Sequence, residues 1–139
     1  RPAILISAAV AAATVATPAF ATTHTDVPTS LNARATKHVV APRHTDTLNL
    51  TLRKRKMGVA GEADHFMVRM RRDNATKKWS TWAPVSATSG TKAGQYTVTV
   101  TMPAKIGKGK KEQYQVKFAG DAAKHLRASR SHVVTVTAS

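Results

Sequence analysis

The stretch Gln95–Met102, QYTVTVTM, carries the clearest structural signal of the chain. Tyr96, Val98, Val100 and Met102 take alternate positions, with Gln95 and threonines between them. Successive side chains of a strand point to opposite faces of its sheet, so a period of two marks a strand with one dry and one wet face. Four other runs repeat the pattern. Glu112–Ala119 (EQYQVKFA) sets Tyr114, Val116 and Phe118 against Gln113, Gln115 and Lys117. Asp46–Arg53 (DTLNLTLR) sets Leu48, Leu50 and Leu52 against Thr47, Asn49 and Thr51. His65–Arg72 (HFMVRMRR) sets Phe66, Val68 and Met70 against Met67, Arg69 and Arg71, and Ser131–Ala138 turns Val134, Val136 and Ala138 inward. Weaker strands are expected at His38–Ala41 and Lys78–Ser86. Gly58, Gly61, Asp73-Asn74, Ser89-Gly90, Gly94, Pro103, Gly107, Gly109 and Gly120-Asp121 punctuate these runs as turns. No stretch has a convincing helical period beyond a short turn near Ala122–Leu126. The expected fold class is all-β, an antiparallel β-sandwich of about seven strands.

Residues 36–139 form the expected domain. Thr22–Ala35 is polar, holds Pro28 and has no apolar period, which reads as a flexible linker. Residues 1–21, RPAILISAAVAAATVATPAFA, read as a secretory signal peptide. A basic residue leads an apolar run, Pro18 breaks it, and Ala19-Phe20-Ala21 gives the small-x-small cleavage pattern. The run is too short and too alanine-rich to span a bilayer, so no transmembrane segment is expected after cleavage. The expected location is extracellular or at the cell wall. The absence of cysteine excludes disulfides, thiolate metal sites and a cysteine nucleophile, and favours a bacterial source.

Two groups of residues carry a family resemblance. One runs through Gly58-Val-Ala-Gly61, Phe66–Arg72, Trp79, Thr88, Gly94 and Tyr96–Val100. The other is Tyr114-Gln-Val-Lys-Phe-Ala-Gly-Asp121 followed by Ser129, Ser131 and Val133–Val136. Together they resemble bacterial immunoglobulin-like modules of secreted and surface proteins, of the actinobacterial type. The resemblance covers Thr36–Ser139 and implies a spacer, an adhesive unit or an appendage of an exported protein. It casts Tyr114 as an analogue of the tyrosine corner. His125, where such modules usually carry an aromatic residue, and Lys92, where they often carry an acid, depart from the pattern.

Charge is the strongest functional signal. The chain has 22 Lys plus Arg against 7 Asp plus Glu, a net +15. A small domain needs a net charge of only about 2–8 for solubility. Candidate ligand-binding residues are Arg53, Lys54, Arg55 and Lys56 in one run, and Arg69, Arg71 and Lys117 on outward strand positions. In an immunoglobulin-like strand order the last three stand on neighbouring strands. Like charges set side by side there cost stability, so the arrangement suggests an anionic partner such as a wall polymer, an acidic polysaccharide or a surface. No motif for reading nucleic-acid sequence is present.

Trp79 and Trp82 lie three apart and by strand parity would face opposite ways; Trp82 is a candidate for stacking on carbohydrate. The repeated His24-Thr-Asp26 and His44-Thr-Asp46 lack a third ligand at diagnostic spacing, so neither a metal nor another cofactor is expected. Glu62 and Asp64 flank a turn, with no second carboxylate facing them on an expected strand. With no nucleophile elbow either, no catalysis is expected. The expected function is binding or adhesion at an anionic surface or to a surface protein. A structural spacer with incidental charge is the alternative.

Overall fold

The computed structural model describes residues 26–73 and 78–139. The leader expected at 1–21 and the start of the expected linker lie outside the described residues. Among the described residues, eleven strands follow in order: β1 Ser30–Ala35, β2 Val39–Val40, β3 Thr45–Lys54, β4 Met57–Gly58, β5 Phe66–Arg72, β6 Ala83–Val85, β7 Thr88–Ser89, β8 Gln95–Thr101, β9 Lys111–Phe118, β10 Ser129–Arg130 and β11 Val134–Ala138. A 3-10 turn at Ala122–Lys124 falls where the helical turn was expected. No described helix is long and apolar enough to cross a membrane.

The strands form two sheets. The first runs β1-β3-β8-β7, with β4 hairpinned onto β3. The second runs β2-β11-β9-β5-β6, with β10 on β9. The named pairings are antiparallel except β2 with β11. The core between the sheets is built from the residues that the alternation marked. Leu48, Leu50 and Leu52 of β3, Tyr96, Val98 and Val100 of β8, Tyr114, Val116 and Phe118 of β9 and Val134, Val136 and Ala138 of β11 are all buried. Phe66 packs against Tyr96 and Phe118, with ring centroids 5.0 and 5.8 Å apart. Truncating one such side chain removes burial and leaves a cavity, at about 2–5 kcal/mol for Leu to Ala and about 3–5 kcal/mol for Phe to Ala.

Within the fold, the structure departs from expectation at the linker and at the weak Lys78–Ser86 strand. Ser30–Ala35 is no linker: it is β1, paired along its whole length with Ser30 opposite Arg53 and Ala35 opposite Leu48. Its inward residues are Leu31 and Ala33, a signal too small to stand out beside Ser, Asn and Arg. The strand expected at Lys78–Ser86 is confined to Ala83–Val85, so parity does not govern the two tryptophans before it.

Close backbone approach makes two glycines obligatory. A Cβ on Gly58 would stand 2.0 Å from the Ala93 carbonyl oxygen, and one on Gly94 (φ 89°) would stand 2.6 Å from the Leu52 carbonyl oxygen. The β3–β4 hairpin and the turn into β8 therefore pack backbone against backbone.

Tyr114 closes the far end of the core. Its hydroxyl donates to the Thr101 carbonyl at 3.0 Å, where β8 ends. Burial, then the charges of Glu112 and Asp46, push its pKa far above the ordinary tyrosine value. Burial also raises Tyr96, whose hydroxyl donates to the Val59 carbonyl and accepts from the Glu62 amide. A raised tyrosine favours the neutral form in the fold. Its contribution is complete below the unfolded pKa of about 10 and is lost as pH rises from there towards the folded value. Base melts should thus show stability falling above about pH 10, with tyrosinate absorbance appearing only as the chain unfolds. Tyr114→Phe should cost about 1–2 kcal/mol at neutral pH, read by urea denaturation, and should flatten the alkaline loss.

Candidate functional site

The outward face of the second sheet carries a stack of cations and indoles. β5 presents Arg69 and Arg71, and β9 presents Gln113, Gln115 and Lys117 beside them. The register sets Arg69 opposite Gln115, Arg71 opposite Gln113 and Lys117 opposite Met67. The expected like-charge neighbours are thus separated: each arginine faces a neutral amide. Arg69 donates from Nε and Nη2 to Gln115 Oε1 at 3.0 and 2.7 Å. Gln115 is itself held by donating Nε2 to the Ser131 carbonyl at 2.7 Å. Arg71 Nε donates to Gln113 Oε1 at 2.6 Å.

Ser80 sets the indoles. Its amide donates to the Met70 carbonyl at 2.9 Å, and its hydroxyl accepts from the Met70 amide at 3.0 Å. Pinned to the middle of β5, Ser80 leaves Trp79 and Trp82 on the arginine side. Arg71 lies 4.2 Å from the Trp79 centroid, and Arg69 lies 4.5 Å from both Trp79 and Trp82. Lys117 and Arg130 approach Trp82 at 5.4 and 6.0 Å. The two indoles therefore share one arginine instead of facing opposite ways. Each such contact is worth about 0.5–1 kcal/mol when exposed and about 2 kcal/mol when dry. Desolvation, then the charges of Arg130 and Arg71, lower the Arg69 pKa, although a guanidinium stays charged at any ordinary pH. The stack therefore holds cations against their own repulsion.

The other sequence-marked basic run is elsewhere. Arg53 and Lys54 end β3 in the first sheet, and Arg55 and Lys56 form the tip of the β3–β4 hairpin. That sheet's outer surface faces away from the Arg69 stack, so the seven marked cations make two separate patches. Arg55 and Lys56 adopt φ of 52° and 69°, a turn normally given to Asn-Gly. The strain predicts that Arg55→Asn with Lys56→Gly raises stability by about 1–2 kcal/mol in urea melts. Arg130 was not marked in the sequence. It joins the patch because β10 pairs with β9, which places Arg130 opposite Lys117.

A second cluster lies where the β4–β5 and β9–β10 connections meet. Glu62 is wholly buried; His65 Nδ1 lies 2.7 Å from its Oε1, and Lys124 Nζ lies 2.8 Å from its Oε2. Asp121 Oδ2 lies 3.9 Å from His65 Nδ1. A second carboxylate faces Glu62 from a turn and not from a strand, because Asp121 arrives beyond the end of β9. Glu62, His65 and Asp121 have the donor types and spacing of a metal site. The Lys124 ammonium already neutralises Glu62, however, and hydrogen bonding to Glu62 raises its pKa. The cluster reads as a latch between the two connections. The His44-Thr-Asp46 repeat makes no comparable cluster: Asp46 is buried, and its Oδ1 accepts from the Lys37 and Thr47 amides at 3.0 and 2.8 Å.

Gln115 is the positioning residue of the cation stack. Gln115→Leu removes both acceptor contacts to Arg69 and leaves the Ser131 carbonyl without its amide partner. A loss of about 1–3 kcal/mol is expected in chemical denaturation. A change below about 0.3 kcal/mol would show that the amide does not hold the arginine. No family model matches the chain, and no curated protein matches it significantly.

Proposed function

We propose that this chain is a secreted, non-catalytic, immunoglobulin-like module that binds an anionic polymer or surface through the Arg69–Arg71–Lys117 face. The strand order supports the immunoglobulin-like part. The sequence β1-β3-β8-β7 in one sheet and β11-β9-β5 in the other corresponds to the ABED and GFC sheets of that architecture. The Tyr114 hydroxyl, bonded to backbone at the end of β8, plays the part of the corner tyrosine. Secretion rests on the signal pattern of residues 1–21.

One observation carries the binding reading: Arg71, Trp79, Arg69 and Trp82 alternate in contact, with Lys117 and Arg130 at the end. Packing a sheet does not require four cations gathered at two indoles. The amides and indoles fix the guanidinium groups in advance, which lowers the ordering cost of binding. An anion laid across the stack relieves the repulsion among Arg69, Arg71 and Arg130. With Trp82 contacted by Arg69, Lys117 and Arg130, sugar stacking on its ring has less support than charge-based binding.

The spacer reading keeps one specific support. Arg69 is engaged by Gln115 and both indoles, so the stack can also serve as a staple across β5 and the 79–82 segment. Salt dependence separates the two. Retention on phosphate- or carboxylate-bearing beads should exceed retention on neutral beads and fall steeply with salt. On a phosphate polymer, Arg69→Gln with Arg71→Gln should lower the slope of log affinity against log salt by about 1.4–1.8. Equal retention on charged and neutral beads, or an unchanged slope in a folded double variant, would leave only the staple.

A further inference from the structure

The chain leaves the first sheet at Ala35 and joins the second at Val39, and this crossing opens a notch in the edge of the second sheet. Thr36 is still bound to β3, donating its amide to the Thr47 carbonyl at 2.9 Å. Lys37 is tied down by the buried Asp46 carboxylate at 3.0 Å. β2 therefore reaches β11 late. Thr137 donates to the His38 carbonyl at 2.8 Å, and Ser139 donates to the Val40 carbonyl at 3.1 Å. β2 pairs only with Thr137 and Ala138.

Backbone groups alternate sides along a strand, so Thr135 turns its N–H and C=O to the same side as Thr137. Val133 continues that line. Among the described residues, no backbone group pairs with Thr135 or Val133 on this side. Facing them across the gap is Ala35, whose amide by the same alternation turns away from β3. The result is a cleft of about 460 Å³, lined by Ala33–Ala35, His38 and His132–Thr135. Its charged or titratable lining groups are Arg34, His38 and His132, all exposed, and it has no acid. Its volume falls in the range of ligand-sized clefts.

We infer that this notch is a docking edge for an extended acidic peptide, which adds as a short strand to β11 along the line that β2 begins. An open edge supplies main-chain hydrogen bonds to any extended chain, and the flanking side chains choose among candidates. Here Arg34 attracts carboxylates, and the imidazoles of His38 and His132 offer N–H donors to them. The same charge works against a second copy of this chain, which brings its own +15 to the cleft. The inference is independent of the Arg69 face, which lies on the outward surface of the second sheet and not at this edge.

The test uses the whole chain, nitrogen-15 labelled, titrated with a capped peptide of alternating glutamate and valine. Saturable shifts should centre on the amides of Ala35, Val133 and Thr135, with slowed hydrogen exchange at Thr135. A peptide N-methylated at alternate residues keeps its charge and cannot pair as a strand. It should bind about tenfold more weakly, as expected for the loss of one or two net hydrogen bonds. Arg34→Glu should weaken binding, read from the shift of the Thr135 amide. Absence of saturation, equal affinity for the methylated peptide, or shifts centred on Gln113, Gln115 and Lys117 would each overturn the inference. The last of these outcomes would assign the peptide to the Arg69 face and leave the proposed function standing.

Discussion

Phe66 pairs with Phe118 and Arg72 with Glu112, and the register between those two pairs carries much of what the molecule presents. At one end two buried rings meet in the core. At the other, Arg72 Nε donates to the buried Glu112 carboxylate at 2.9 Å. Between them every inward position is apolar and every outward position on β5 beyond Met67 is an arginine facing a glutamine. A slip of one residue would turn the arginines into the core and the aromatic side chains into water, so the hydrophobic pattern fixes the cation stack as firmly as it fixes the fold. The site is thus the wet side of the same alternation that makes the dry side.

Most of the fold was legible because it is written in period two. The runs holding Leu48–Leu52, Tyr96–Val100 and Tyr114–Phe118 are strands with the inward sets that the alternation marks. β1 was not legible, because Leu31 and Ala33 bury little area and sit among polar residues that also suit a loop. Its strand state comes from β3, whose open edge would otherwise leave backbone groups without partners. The outward placement of Arg69, Arg71 and Lys117 was legible from parity alone. The shared stacking of Trp79 and Trp82 was not, because it depends on Ser80 docking at Met70, a contact with no local signature. Arg130 and the approach of Asp121 to Glu62 were hidden for the same reason: both depend on where the chain returns after β9.

Two ways of handling cost recur. At the Arg69 face, crowded cations are held by neutral amides and ring faces. At Glu62, a buried acid is held by the ammonium of Lys124 and the imidazole of His65. The amide for Arg69 comes from β9, and Lys124 reaches Glu62 from beyond β9, whereas His65 is only three residues from Glu62, so neither arrangement is complete until the sheets have assembled. The hairpin tip at Arg55-Lys56 is different, since its strain is local to two adjacent residues.

The chain has two tryptophans, Trp79 and Trp82, and both belong to the stack with Arg69. The protein's indole emission therefore comes entirely from this one face. Any occupant that shifts a guanidinium against an indole announces itself in the intrinsic spectrum, without a dye or a label. The molecule thus carries an optical gauge of its own at that face.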